Sequence, residues 1–165
     1  MDLNILVEFI NWLVSPEKIA ETPFHHFFVY FILATFIDYI SWHVFGFEEE
    51  YKRTLVEKEI RWMLREKGGL LLFIISIGLE EVVFRGFPYI VSSILLAGAY
   101  KMELIYLGSI IWALLHRTPG SIAICMILIP FYAGLWIMDL GLMAIMFHIL
   151  QNLINLIIMS IIEKT

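Results

Sequence analysis

The stretch GLLLFIISIGLEEVVFRG, residues 69–86, is apolar over most of its length but carries three ionisable groups near its end. About 20 apolar residues in a helix are enough to cross the hydrocarbon core of a bilayer. Glu80, Glu81 and Arg85 are out of place there, because each such group costs roughly 2.5–3.5 kcal/mol at the centre of a membrane helix. Ionisable groups that are kept in spite of this cost usually face the interior of a helix bundle and mark function. The stretch therefore predicts a membrane helix that carries part of a functional site.

The composition of the whole chain also indicates a membrane protein. Of its 165 residues, 61% are apolar and 15% aromatic, whereas an ordinary soluble domain is about 45–50% apolar. The net charge of −5 and the lack of a basic patch interleaved with aromatics argue against a nucleic-acid partner. Cys125 is the single cysteine, which excludes an intrachain disulfide and a CxxC motif. We expect an integral, multi-pass protein of the cell membrane, with the lipid bilayer as its surroundings.

Apolar segments separated by Gly, Pro or charged residues predict an all-α bundle of about five hydrophobic transmembrane helices. The segments are residues 24–46, 69–99, 103–116, 121–138 and 140–162. Gly86 and Pro88 interrupt the second segment, so it is either one bent span or a helix followed by a re-entrant piece. The third segment is short, which makes it the weakest candidate for a full crossing.

Two segments differ in kind from these spans. Residues 1–14 have apolar side chains at helical spacing, which predicts an amphipathic helix in the membrane interface. Residues 48–67 are rich in both acids and bases, which predicts a solvated helical connector. We accordingly divide the chain into an amphipathic N-terminal segment (1–23), a first transmembrane helix with its connector (24–68), and a membrane core (69–165).

Four residues near the ends of the apolar segments are expected at the membrane boundary and not in a functional site. His25 and His26 lie at the very start of the first span and are expected in the headgroup region. Trp136 and Asp139 lie between the last two spans and are interpreted as boundary residues at the aqueous edge.

The three charges of residues 69–86 divide into a pair and a single group. Glu81 and Arg85 are spaced i,i+4 with the acid first, the favourable order for an ion pair on one helix face. Glu80 points about 100° away around the helix and cannot share that pair equally. We interpret Glu81–Arg85 as a structural pair and Glu80 as the group available for general acid or base chemistry. The alternative is a buried ion pair near a helix end, with Glu80 wetted by the interface.

Two further helices contribute polar side chains. WALLH, residues 112–116, places an aromatic and His116 on one helix face, and HILQN, residues 148–152, places His148 and Asn152 on one face in mid-span. Histidine or asparagine alone can simply bond helices together. With Glu80, however, the set can deprotonate a water and bind a developing oxyanion. The same donors also resemble zinc ligands, although no HExxH motif is present.

The order of these motifs resembles a known membrane family. EEVVFR (80–85), WALLH (112–116) and HILQN (148–152) look like the EExxxR, FxxxH and HxxxN signatures of the CPBP, or Abi, family of CAAX proteases and bacteriocin-processing enzymes. The family includes the Ras-converting type of CAAX prenyl endopeptidase. The resemblance covers about residues 70–160 and implies an intramembrane glutamic protease that requires no metal or other cofactor.

The resemblance implies a role for each matched residue. Glu80 would activate the attacking water, with His116 as its helper. His148 and Asn152 would stabilise the oxyanion. The positions that match as supporting residues are Glu81, Arg85 and Trp112, and the last of these stands where the family motif has Phe.

The implied substrate is a membrane-associated peptide or protein, possible forms being a prenylated CaaX protein, a leader peptide and a membrane-bound regulator. The sequence leaves the oligomeric state open. It also leaves two alternatives open: a non-proteolytic immunity or scaffold protein of the same fold, and a metal-dependent membrane hydrolase. A small channel or transporter is less favoured, because the hydropathy pattern contains no inverted repeat.

Overall fold

The computed structural model describes residues 3–45, 58, 61–63, 65–116 and 119–162, with the backbone alone at residues 38, 41–45 and 159–162. Of the described residues, 89% lie in helices and none lies in a strand, so the predicted all-α class is confirmed. Most of the predicted connector 48–67 lies outside the described ranges.

Short breaks at Gly, Pro and turn residues separate the helices, as the apolar segments predict. The principal helices are α1 (Leu3–Val14), α2 (Pro16–Glu21), α3 (Pro23–Phe45), α4 (Gly69–Glu81), α5 (Lys101–Leu114), α6 (Pro119–Ile137) and α7 (Gly141–Ile162). Helix α6 packs against α2, α3, α5 and α7 and so forms the centre of the bundle.

The helical course of α4 does not stop at Gly86 and Pro88. It continues through a π-helical turn (Val82–Gly86), one α-helical turn (Phe87–Ile90) and a second π-helical turn (Val91–Leu95), which we call the α4 extension. Pro88 has no N–H to donate within a helix, and the wider π turns let the chain continue helically past it. Of the two expected courses, one continuous bent helix is therefore the one formed.

The α4 extension approaches α5 closely at Gly108. A Cβ atom at this position would lie 1.9 Å from the carbonyl oxygen of Phe84 and 3.1 Å from the ring of Pro88. Only glycine permits backbones to come this close. The contact matters for the site because it brings Arg85 against Ser109, one residue further along α5, with 3.0 Å between Nε and the hydroxyl oxygen.

The outward faces of the helices are apolar, whereas polar groups lie inside. Helix α3 exposes Phe24, Phe28, Ile32 and Phe36 at a spacing of four residues. Soluble monomers rarely expose large contiguous apolar patches. Within the described ranges, two helices, Pro119–Ile137 and Gly141–Ile158, are long and apolar enough to cross a membrane.

Helix α1 is held to the bundle by polar contacts at its C-terminal end. His26 Nε2 lies 2.9 Å from the carbonyl oxygen of Trp12, and the two rings stack at 3.8 Å. Tyr30 donates its hydroxyl proton to the carbonyl oxygen of Leu13 at 2.8 Å. His26 is fully buried among the helices, and its expected depth in the headgroup region stays a prediction. Most apolar residues of α1 are exposed, as an interfacial helix requires, and the position of α1 in the membrane interface also stays a prediction.

Candidate active site

Glu81 accepts hydrogen bonds at both carboxylate oxygens. Its Oε1 accepts a hydrogen bond from Arg85 Nη1 at 2.5 Å, and its Oε2 accepts one from Trp136 Nε1 at 3.0 Å. His148 Nδ1 lies 2.9 Å from Oε1, although the ring is not aligned for a hydrogen bond. A buried charge is tolerated when it is paired and bonded in this way. The predicted Glu81–Arg85 pair is thus formed, and it is fully buried.

Arg85 is enclosed by the carboxylate and by aromatic rings. Its guanidinium carbon lies 4.3 Å from the ring centre of Trp112 and 5.2 Å from that of Tyr132. Its Nη2 has no hydrogen-bond partner among the described residues. The aromatic ring faces further stabilise the buried guanidinium charge through cation–π attraction.

Glu80 is bonded differently from its neighbour. It is half-buried, and its Oε2 accepts a hydrogen bond from Trp112 Nε1 at 3.2 Å. Of the two adjacent carboxylates, Glu81 is therefore enclosed by donors, while Glu80 keeps one oxygen free of hydrogen bonds to the described residues. A carboxylate in that condition can still bind a water and accept its proton.

Trp112 connects the three motifs. Its ring centre lies 4.9 Å from that of His116 and 5.4 Å from that of His148, both edge to face. His116 Nδ1 also lies 2.9 Å from the Trp112 carbonyl oxygen. A carbonyl oxygen only accepts, so Nδ1 carries a proton, and in the neutral ring Nε2 is left as a proton acceptor.

His148 and Asn152 lie one turn apart on α7. Asn152 Nδ2 donates a hydrogen bond to the His148 carbonyl oxygen at 3.0 Å. One amide N–H is thus used within the helix, and the second is available to a ligand. The His148 ring is buried beside Tyr132, with 5.2 Å between the ring centres.

The structure also brings to the cluster four side chains that the sequence interpretation did not place in the site. They are Ser109, Tyr132, Trp136 and Gln151. Tyr132 donates to Gln151 Oε1 at 2.5 Å, and both side chains are buried. Gln151 follows His148 by three residues on the same helix, and this spacing was a usable signal for a shared face.

Trp136 contacts the motif cluster, which its interpretation as a boundary residue did not include. Its indole N–H donates to Glu81, and its ring is half-buried and packs closely against Gly141. Its position at the membrane boundary stays a prediction. Asp139 does lie at the edge of the bundle. It is exposed and pairs with Lys101 at 2.6 Å. That hydrogen bond lowers the pKa of Asp139 from its ordinary value.

Among the residues that the structure describes, no group of three or more His, Cys, Asp or Glu side chains is arranged to hold a metal ion. Comparisons of the chain with protein-family models, curated proteins and solved structures found no match.

Proposed function

We propose that the chain is an intramembrane glutamic endopeptidase of the CPBP type, built as a multi-pass bundle of about five hydrophobic helices. One observation carries the proposal. Trp112 contacts Glu80, His116 and His148 together, so the three motifs, which are far apart in the chain, meet in one cluster around a buried indole. The apolar outward faces of the helices support a position of this cluster within a bilayer.

The proposed reaction uses the two groups that remain able to accept a proton. A water bound by Glu80 and His116 Nε2 loses a proton to the Glu80 carboxylate, and its oxygen bonds to the carbonyl carbon of the scissile peptide. The carbonyl π electrons move to oxygen and form an oxyanion. When the intermediate collapses, the C–N bond breaks and the proton passes to the leaving amine.

His148 and Asn152 are suited to bind the oxyanion. The second Asn152 N–H is one donor, and an N–H at His148 Nε2 is another. The Glu81 carboxylate lies 2.9 Å from His148 Nδ1 and holds the ring in place for that role. In this proposal Glu81 supports the oxyanion site by orienting His148, and Glu80 accepts the proton of the attacking water.

The substrate class that fits best is a membrane-associated peptide or a prenylated CaaX protein. Apolar side chains, among them Leu79, Val83 and Ile111, are exposed beside the motif residues. A lipid-modified chain end could reach the cluster from within the bilayer along such a surface.

The purified protein should be tested on prenylated and unprenylated peptides in lipid nanodiscs. Glu80→Gln should abolish cleavage, because the amide cannot accept the proton of water. Glu103→Gln is the matched control, since Glu103 is an exposed acid on α5. Cleavage that persists in Glu80→Gln would overturn the assignment of the base, and cleavage that stops with a chelator would favour a metal-dependent hydrolase. A folded protein that cleaves no peptide in the panel would favour a non-proteolytic scaffold.

A further inference from the structure

We propose that Trp112 is the positioning residue for Glu80: its indole N–H holds the carboxylate in the orientation that receives the proton of water. The reaction that Trp112 would assist rests on the proposed function above, whereas the contact between Trp112 and Glu80 does not depend on that function. The indole Nε1 lies 3.2 Å from Glu80 Oε2. Within the described part of the chain, this is the one hydrogen bond that the Glu80 side chain makes.

A positioning donor must itself be rigid, and the surroundings of Trp112 meet that requirement. The side chain is 3% exposed and belongs to a core cluster of α5 and α6 with Ile105, Cys125 and Ile129. The Arg85 guanidinium lies over its ring face, and the edges of two imidazoles contact it. The direction of the N–H bond is therefore set by packing on several sides.

The hydrogen bond has two consequences for Glu80. A hydrogen bond to a charged oxygen is directional, so it fixes where Glu80 Oε2 lies. It also restricts the Glu80 side chain, which has three rotatable bonds. The entropy cost of ordering that side chain is then met before the reaction and does not add to the barrier. Because the donor engages Oε2, the other oxygen is left for water. The Trp112 carbonyl oxygen also sets the tautomer of His116. Trp112 therefore orients the Glu80 carboxylate and fixes which His116 nitrogen can accept a proton.

The sharpest test removes the N–H and keeps the ring shape. In 3-benzothienylalanine, a sulfur atom replaces the indole N–H, so this residue at position 112 retains the packing against Arg85. Trp112→Phe is the second variant. Trp12→Phe is the control for an indole-to-phenyl change, because Trp12 stacks on His26 outside the motif cluster.

Two measurements are needed in nanodiscs. The first is peptide cleavage, in which both position-112 variants should lower kcat by about tenfold to a hundredfold and leave KM near the wild-type value. The second is the rate at which a hydrophobic carbodiimide labels Glu80, followed by mass spectrometry. A carbodiimide must reach a carboxyl oxygen to react. The indole N–H covers Glu80 Oε2, so loss of the donor should uncover this oxygen and speed the labelling several-fold. Glu80→Gln identifies the labelled site, and Trp12→Phe should match the wild type in both measurements.

The outcomes separate this proposal from the proposed function. An unchanged kcat, an effect on KM alone, or an unchanged labelling rate in the benzothienylalanine protein would overturn the role of Trp112. A wild type that cleaves nothing would overturn the protease, and the labelling rate would then decide the role of Trp112 alone. If Trp112→Phe fails to fold, the benzothienylalanine variant alone decides between these outcomes.

Discussion

Replacing Gly108 by Ala should separate the two helices that form the site. The new Cβ would lie 1.9 Å from the Phe84 carbonyl oxygen, and real Cβ atoms essentially never approach another atom within 3.0 Å. The difference of those two distances requires a shift of at least about 1.1 Å between the backbones of α5 and the α4 extension. The hydrogen bond from Trp112 to Glu80, already 3.2 Å long, would not survive a shift of that size.

The expected effects follow from that displacement. Overpacking of this kind costs about 1–3 kcal/mol, and the better helix propensity of Ala returns at most about 1 kcal/mol. With that full return the net cost is about 0–2 kcal/mol, so for a chain of this size we expect the Tm in detergent to fall by up to about 8 °C. Cleavage should fall by about a hundredfold, because a misplacement of 1 Å is enough for such a loss.

Gly78→Ala is the matched control, in α4 two residues before Glu80. A Cβ there would meet Ile145 at 3.8 Å, an ordinary van der Waals contact. This variant should keep its activity and keep or raise its Tm. The reasoning is refuted if Gly108→Ala is as stable and as active as Gly78→Ala.

Three further predictions concern stability. His26→Ala removes the contact between His26 and the Trp12 carbonyl oxygen and should release the C-terminal end of α1 from the bundle. Limited proteolysis before residue 23 should then be faster, and an unchanged digestion pattern would contradict the role of His26. Arg85→Met leaves Glu81 as a buried charge without its main partner and should lower the free energy of unfolding by about 3–5 kcal/mol. The double variant Arg85→Met with Glu81→Gln should recover much of that stability. Thermal unfolding of both variants measures this, and a double variant as unstable as Arg85→Met, or less stable, would contradict it. Because pairing lowers the pKa of Asp139, its contribution is present above the unfolded pKa, near 3.8, and is lost as the pH falls through the folded value. The Tm difference between wild type and Lys101→Ala should then correspond to about 0.2–1 kcal/mol near neutral pH. It should shrink as the pH falls below 3.8, and a difference that does not depend on pH would exclude this cause.

Local spacing predicted the contacts within single helices well. The i,i+4 order of Glu81 and Arg85 predicted their ion pair, and the different bonding of Glu80 follows from its position about 100° around the helix. Apolar segments bounded by Gly and Pro likewise predicted most helix limits. These features depend on a few neighbouring residues, so they can be inferred from a single sequence.

Contacts between helices could not be inferred in the same way. Trp136 follows Glu81 by 55 residues, and nothing in its local sequence distinguishes an interfacial indole from one that donates to a buried carboxylate. His26 next to exposed His25 is a similar case, because only the packing of α1 buries one of the two. Pro88 suggested a break, whereas the chain continues past it through two π-helical turns, and α5 packs closely against this region at Gly108.

The most direct test of the central claim is cleavage in water enriched in ¹⁸O, with the product carboxylate analysed by mass spectrometry. The account predicts that the wild type and Glu103→Gln incorporate one ¹⁸O atom into the new C-terminal carboxylate, while Glu80→Gln gives no product. Cleavage by Glu80→Gln at the wild-type rate would contradict the claim that Glu80 activates the water.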